Sequence, residues 1–253
     1  MNFSINQLSS LAKMISADPN NATALLKLSS IDVLKSLGDG KYSVLLENKT
    51  LTAQSDKPLS SGEKYWVQFT HAKDSTIVLS NLLKAPQLLQ NTKNMPIEYS
   101  IKDLQTLLNT KDPTSTIKQN LLEHLSSAST KEDFSNISTL LLSLHNQTVT
   151  IPLLYHEYLS VLQFKKRYNK KTKKEYIDFY AALDHLGPVS GLLMLENGEI
   201  NVKLGVAYET TKNFLENNMN NFSHTIQITL QEGIEPLYNT NASSSHSILD
   251  LSI

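Results

Sequence analysis

The chain contains no cysteine. Disulfide staples, thiolate metal sites and a cysteine nucleophile are thereby excluded. Glycine is scarce, 8 in 253 residues. None falls in a GxGxxG, GxxxxGK[ST] or GxSxG pattern, so phosphate-cradling loops and a nucleophile elbow are missing. An excess of one charge is also lacking. Lys and Arg number 23 against 24 Asp and Glu, a net charge of −1, which gives no global pull toward nucleic acid. No apolar run approaches the roughly 20 residues that span a bilayer. The first residues, MNFSINQLSSLAKMISAD, lack a basic stretch followed by an unbroken apolar one, so a cleavable secretion signal is not expected. The missing span and signal make classical secretion unexpected and a cytoplasmic location the expectation, while the lack of cysteine does not fix the compartment.

The seven histidines, His71, His124, His145, His156, His185, His224 and His246, form neither HxH nor HExxH, and no regular metal spacing joins them to carboxylates. Glu132-Asp133 suits helix capping better than acid–base work. The expectation is a non-enzymatic protein with no catalytic residues, no metal and no cofactor.

What is present is a succession of patterns. A hydrophobic share of 40% suffices for a packed core. Ile5, Leu8, Leu11, Ala12 and Ile15 share one helical face, and Asp18-Pro19-Asn20-Asn21 breaks it. After Gly38-Asp39-Gly40, Tyr42, Val44 and Leu46 alternate with polar residues, as do Tyr65, Val67 and Phe69. With Val33, Leu34 and Leu37 ahead of that turn, Thr50–Ala53 and Ile77–Leu79, they predict five short strands, a small closed barrel of SH3-like or OB-like type. Residues 83–146 read as helices. Ile101, Leu104, Leu107 and Leu108 form one stripe, and Ile117, Leu121, Leu122 and Leu125 a second, begun at Asp112-Pro113 or Thr114. Phe134, Ile137, Leu140, Leu141 and Leu144 form a third, capped by Ser129 or Thr130. Strands return from Val149. Tyr158–Phe164 and Tyr176–Leu183 read as a long hairpin. Val189–Leu195 and Ile200–Val206 form another around Asn197-Gly198. A helix with Phe214, Leu215, Met219 and Phe222 follows, and Ile226, Ile228 and Leu230 alternate as a closing strand.

Residues 165–174 read KKRYNKKTKK, seven cations in ten positions. Charges this dense repel, so the segment is solvated or bound to something acidic. Three readings are open: a solvated hairpin tip that prevents edge-to-edge strand pairing, a dock for an acidic protein, or a contact with nucleic acid or an anionic membrane surface. Tyr168 inside the run could stack on a base.

Residues 182–222 carry Leu186-Gly187-Pro188-Val189, a strand, Asn197-Gly198, a second strand, and Glu209-Thr210-Thr211 entering a helix. Thr210 or Thr211 suits the cap of that helix. This succession resembles the C-terminal domain of the flagellar hook-length control (FliK) family, over roughly residues 150–235. The resemblance implies protein–protein recognition without covalent chemistry. The partner would be the cytosolic part of the FlhB-type gate component of the flagellar type III export apparatus, or an export substrate. The chain would be cytoplasmic or exported through that apparatus. The family's long Pro- and Gln-rich N-terminal ruler has no counterpart here, which leaves gate binding as the better-supported role. Alternatives are a generic adaptor or chaperone-like protein sharing only the fold, or a nucleic-acid binder using barrel and basic hairpin.

The expected fold class is α+β. The expected division is an N-terminal helical segment (1–30), a β-barrel-like module (31–83), a helical region (84–146), a FliK C-terminal-like domain of antiparallel sheet and packed helix (147–238), and a flexible tail (239–253). Candidate partner-binding residues are Lys165, Lys166, Arg167, Lys170, Lys171, Lys173 and Lys174 on the basic hairpin, with Leu186, Gly187, Pro188 and Val189 beside it.

Overall fold

The computed structural model describes residues 28–71, 76–90, 95–155, 158–171, 173–196, 199–219 and 225–239. The helix expected at 4–16 and the tail from 240 onward lie outside the described residues, as do Asn197-Gly198 and Phe222. The architecture is α+β, with a closed five-stranded barrel, a six-stranded sheet and five helices among the described residues.

Period-two alternation builds the barrel. Its strands are β1 (Leu28–Gly38), β2 (Lys41–Leu46), β3 (Lys49–Gln54), β4 (Lys64–His71) and β5 (Thr76–Lys84). Ile31, Val33, Val44, Ala53, Val67, Ile77 and Leu79 point inward and close one core. The β2–β3 turn places Glu47 and Asn48 at φ of 48° and 64°, the mirror-image turn that matches strand twist. The strand order is β1-β2-β3-β5-β4. The ring closes through β1 against β4 and through the one parallel pairing, β3 with β5.

Helices follow where Leu spacing changes to 3.6. They are α1 (Gln87–Gln90), α2 (Ile101–Leu108), α3 (Pro113–Ser126) and α4 (Lys131–His145). Ser100 and Asp103 make a capping box at α2. Asp112 caps α3 with Pro113 in its first turn. Thr130, not Ser129, caps α4 by accepting from the Asp133 N–H.

The sheet comprises β6 (Val149–Tyr155), β7 (Tyr158–Asn169), β8 (Lys174–Leu183), β9 (Gly187–Glu196), β10 (Glu199–Val206) and β11 (Thr225–Leu230), in the order β11-β10-β9-β8-β7-β6. Residues 182–222 thus contribute the antiparallel β9–β10 hairpin and α5 (Glu209–Asn217). The expected all-antiparallel sheet is corrected at one edge: β11 runs parallel to β10, with Val202 opposite Ile226 and Leu204 opposite Ile228. The cause is α5, which carries the chain back along the sheet so that β11 starts from the same end as β10, as a helical crossover requires. Helices α2, α4 and α5 pack on this sheet, and their apolar stripes share its core with Ile151, Leu162, Phe179 and Val202. That second core also takes in Leu28 and Trp66 from the barrel strands. Among the described residues no helix is long and apolar enough to cross a membrane.

Candidate functional site

The basic segment becomes the end of a two-stranded ribbon. β7 and β8 pair from Val161 opposite Ala182 out to Asn169 opposite Lys174. On one flank β6 stops at Val149, opposite Phe164. On the other, pairing of β8 with β9 stops at Tyr176. From Arg167 to Glu175 the ribbon therefore has no neighbouring strand. Its base is packed into the sheet, with Gln163, Phe179 and Tyr180 buried just below.

The seven cations divide into two groups. At the base, Lys165 Nζ donates to the Asn146 carbonyl at 3.0 Å, where the C-terminal end of α4 carries partial negative charge. Lys166 pairs with Glu175 at 2.8 Å and Arg167 with Asp178 at 3.0 Å. At the tip, Lys170, Lys171 and Lys173 are exposed and make no ion pair among the described residues. Asn169 Oδ1 accepts from the Lys171 N–H at 2.9 Å and shapes the turn. Lys174, also exposed, begins β8. Tyr168 is 55% exposed and lies opposite Glu175. The tip is a run of exposed cations beyond the flanking strands, with the exposed Tyr168 ring just before it in the chain.

Leu186, Gly187, Pro188 and Val189 are all buried. They lie where the barrel meets the sheet, not on the ribbon's surface. The Trp66 indole N–H donates to the Leu183 carbonyl at 2.8 Å. The Tyr208 hydroxyl donates to the Asn81 carbonyl at 2.9 Å. Gly187 has φ +75°, and a Cβ there would stand 2.7 Å from Tyr208 Cε2. Glycine serves both needs, a left-handed backbone and contact with a tyrosine ring. Thr210 and Thr211, expected to cap α5, do other work. Tyr208 is the N-cap residue and makes no side-chain cap bond. Thr211 Oγ1 donates to the Leu186 carbonyl at 2.9 Å, and Thr210 Oγ1 accepts from Gln68 Nε2 at 3.0 Å. Both threonines tie α5 to the junction, a role no local pattern announces.

The junction contains charge as well. Lys64, 8% exposed, lies 3.3 Å from Asp32, and Ser30 Oγ donates to Asp184 at 2.8 Å. His185 Nδ1 is 3.4 Å from Ser29 Oγ. Burial holds this imidazole below its ordinary pKa, against the opposing pull of Asp184 and Glu47. Burial also raises the phenol of Tyr208 above its ordinary range, so it is a neutral donor here. The barrel's aromatics serve packing: Tyr42, Tyr65 and Trp66 are buried. A base-stacking platform needs exposed rings, and the barrel's β2 and β3 present Lys41, Lys49, Thr50 and Gln54 instead.

No protein-family model, curated protein or solved structure matches the chain.

Proposed function

We propose that the protein is a non-enzymatic interaction factor of the hook-length control type, acting on the flagellar type III export gate through the tip of its basic ribbon. The observation that carries the proposal is the ribbon end. Lys170, Lys171 and Lys173 stand exposed beyond the last flanking strand, in a chain whose net charge is −1. A concentrated positive patch steers association with an acidic partner surface and fixes register. The resemblance of residues 182–222 to the family's C-terminal domain supplies the kind of partner, the cytosolic domain of the gate component or an export substrate. The barrel, with the OB-type strand order, acts as a fixed mount, since its aromatics are spent on its own core and on the junction. Location in the cytoplasm, or export through the same apparatus, follows from that role.

The test is capture of the purified chain by the cytosolic domain of the export gate. Wild type is compared with the triple variant Lys170→Glu, Lys171→Glu, Lys173→Glu. Binding that weakens with salt and falls about tenfold or more in the variant is the expected result. Equal capture of both proteins overturns the docking surface. Hooks of normal length and normal filaments in a strain lacking the gene overturn the flagellar role itself. Salt-dependent binding to DNA in place of the gate domain would transfer the ribbon to the nucleic-acid reading.

A further inference from the structure

At the opposite end of β8 from the ribbon tip lies a cleft of about 680 Å³. Its size is that of small-ligand pockets, and it sits between two cores, where such pockets collect. One wall is the barrel edge at Trp66 with the start of α1. The other is the segment 231–239, which crosses the sheet as a strap. The strap is pinned at both ends. The Gln231 N–H donates to the Val206 carbonyl at 3.0 Å, and Gln231 Oε1 accepts from Ser190 Oγ at 2.8 Å. At the far end Gln163 Nε2 donates to the Tyr238 carbonyl at 2.9 Å, and the Tyr238 N–H donates back to Gln163 Oε1 at 3.1 Å.

Tyr180 stands between these anchors. Gln163, Tyr180 and Ser190 are direct partners across three strands and so share one face of the sheet. Both neighbours are engaged by the strap. Tyr180 lines the cleft and is 1% exposed, yet its hydroxyl makes no hydrogen bond among the described residues. Burial raises its pKa, so it is a neutral group able to accept as well as donate.

The charge of the cleft has one sign. Glu63 and Lys84 cancel each other at 3.0 Å. Glu232 and Glu235, exposed on the strap, have no counter-ion among the described residues, and both line the cleft. The rest of the lining is mixed: Trp66, Pro86, Pro188, Pro236 and Ile234 supply apolar surface, and Gln87, Gln90 and Asn239 supply neutral amides. We infer that this cleft binds an alkylammonium or alkylguanidinium group, carried by a free amine or by a Lys or Arg side chain. The carboxylates of Glu232 and Glu235 accept from the cation, the Tyr180 hydroxyl accepts one further N–H, and the apolar stem lies along the aromatic and proline wall. An ammonium has only donors, and the cleft offers it unspent acceptors. The site does not depend on the ribbon or on its partner.

Trp66 is the single tryptophan of the chain, so its emission reports on the cleft. The full chain is titrated with hexylammonium chloride, and in parallel with sodium hexanoate and with hexan-1-ol at matched ionic strength. A saturable change with the ammonium ion is expected, about tenfold tighter than with either control, since an ionised partner strengthens the hydrogen bonds by that much. Glu232→Gln with Glu235→Gln, both on the exposed strap, weakens the ammonium response about tenfold. Tyr180→Phe weakens it roughly threefold. A capped Gly-Lys-Gly tripeptide binding more tightly than hexylammonium assigns the cleft to a polypeptide side chain, and the reverse order to a free amine. A response to hexan-1-ol as tight as to the ammonium, or ammonium affinity unchanged in the Glu232/Glu235 variant, overturns the inference. The ribbon variant Lys170→Glu, Lys171→Glu, Lys173→Glu serves as control and leaves the titration unchanged.

Discussion

The ribbon tip at 170–173 and the turn at 186–189 both invite a docking role in the sequence, and the fold sends them in opposite directions. The tip is charged on every described residue and flanked by strands that stop short of it. The turn is apolar and closes over Tyr208 and Thr211. The difference is desolvation. Taking three ammonium groups out of water requires partners, and the chain supplies none for the tip lysines among the described residues. Burying Leu186 and Val189 is favourable, and each buried CH₂ contributes about 0.8 kcal/mol. One segment is left in solvent, while the other joins the protein's own two cores. Two segments of similar motif-like appearance therefore separate into an exposed one and a buried one only when the charge carried by each is weighed.

The largest expected effect tests the architectural half. Trp66 is 1% exposed and contributes to the sheet's core from a barrel strand. Trp66→Ala removes that packing and leaves the Leu183 carbonyl without its 2.8 Å donor. A loss of about 3–5 kcal/mol is expected, read by urea unfolding followed by circular dichroism. A loss below about 1 kcal/mol would show that the barrel sits loosely on the sheet, and the contrast between turn and tip would vanish.

A smaller effect comes from pH. The imidazole of His185 has its pKa lowered from 6.5, chiefly by burial, with Asp184 and Glu47 pulling the other way. The unfolded chain takes up this proton near pH 6.5, while the folded chain resists it until the pH is lower. In that window the unfolded state binds more protons, so stability falls as pH drops, by at most about 1.4 kcal/mol per pH unit for one group. The melting temperature of the wild type is expected to decline from pH 7 to 5.5 more steeply than that of His185→Asn. Parallel curves for the two proteins would mean that His185 is hydrated and that the junction is open.

The sequence discloses what depends on short-range pattern. The barrel strands, the three long helices and both hairpins are legible because alternation or 3.6-residue spacing marks them. Asp112 before Pro113 and Thr130 before Glu132-Asp133 announce their helices for the same reason. The parallel β11 is not legible. Ile226, Ile228 and Leu230 alternate identically in either direction, and only the length of the crossover through α5 settles the matter. Thr210 and Thr211 look like caps because cap chemistry is local, whereas their partners Gln68 and Leu186 are set by docking of the barrel. The cleft under the strap is invisible for the same reason: Trp66, Tyr180 and Glu232 meet only in three dimensions. The cation run is obvious, but its division into a partnered base and a bare tip needs the register of Arg167, Glu175 and Asp178.

That division yields the smallest expected effect and the sharpest contrast with Trp66. Lys170→Ser, Lys171→Ser and Lys173→Asn remove three charges that no described group neutralises. Asn is chosen at 173 because Lys173 has φ 52°, a left-handed conformation that Asn tolerates. The stability change is expected to lie within about 0.5 kcal/mol of zero, as for surface sites without structural partners. Any shift should be toward greater stability, since like charges a few residues apart repel. The same substitutions strip a bare two-stranded ribbon of the lysines that keep its edges from pairing with another chain. Sedimentation at low salt is therefore expected to show self-association in the variant and none in the wild type. A destabilised variant would mean that the tip packs against the body and that its cations are already spent. A stable, monomeric variant that still binds the gate domain would leave the lysines without a role in recognition and move the docking surface elsewhere on the molecule.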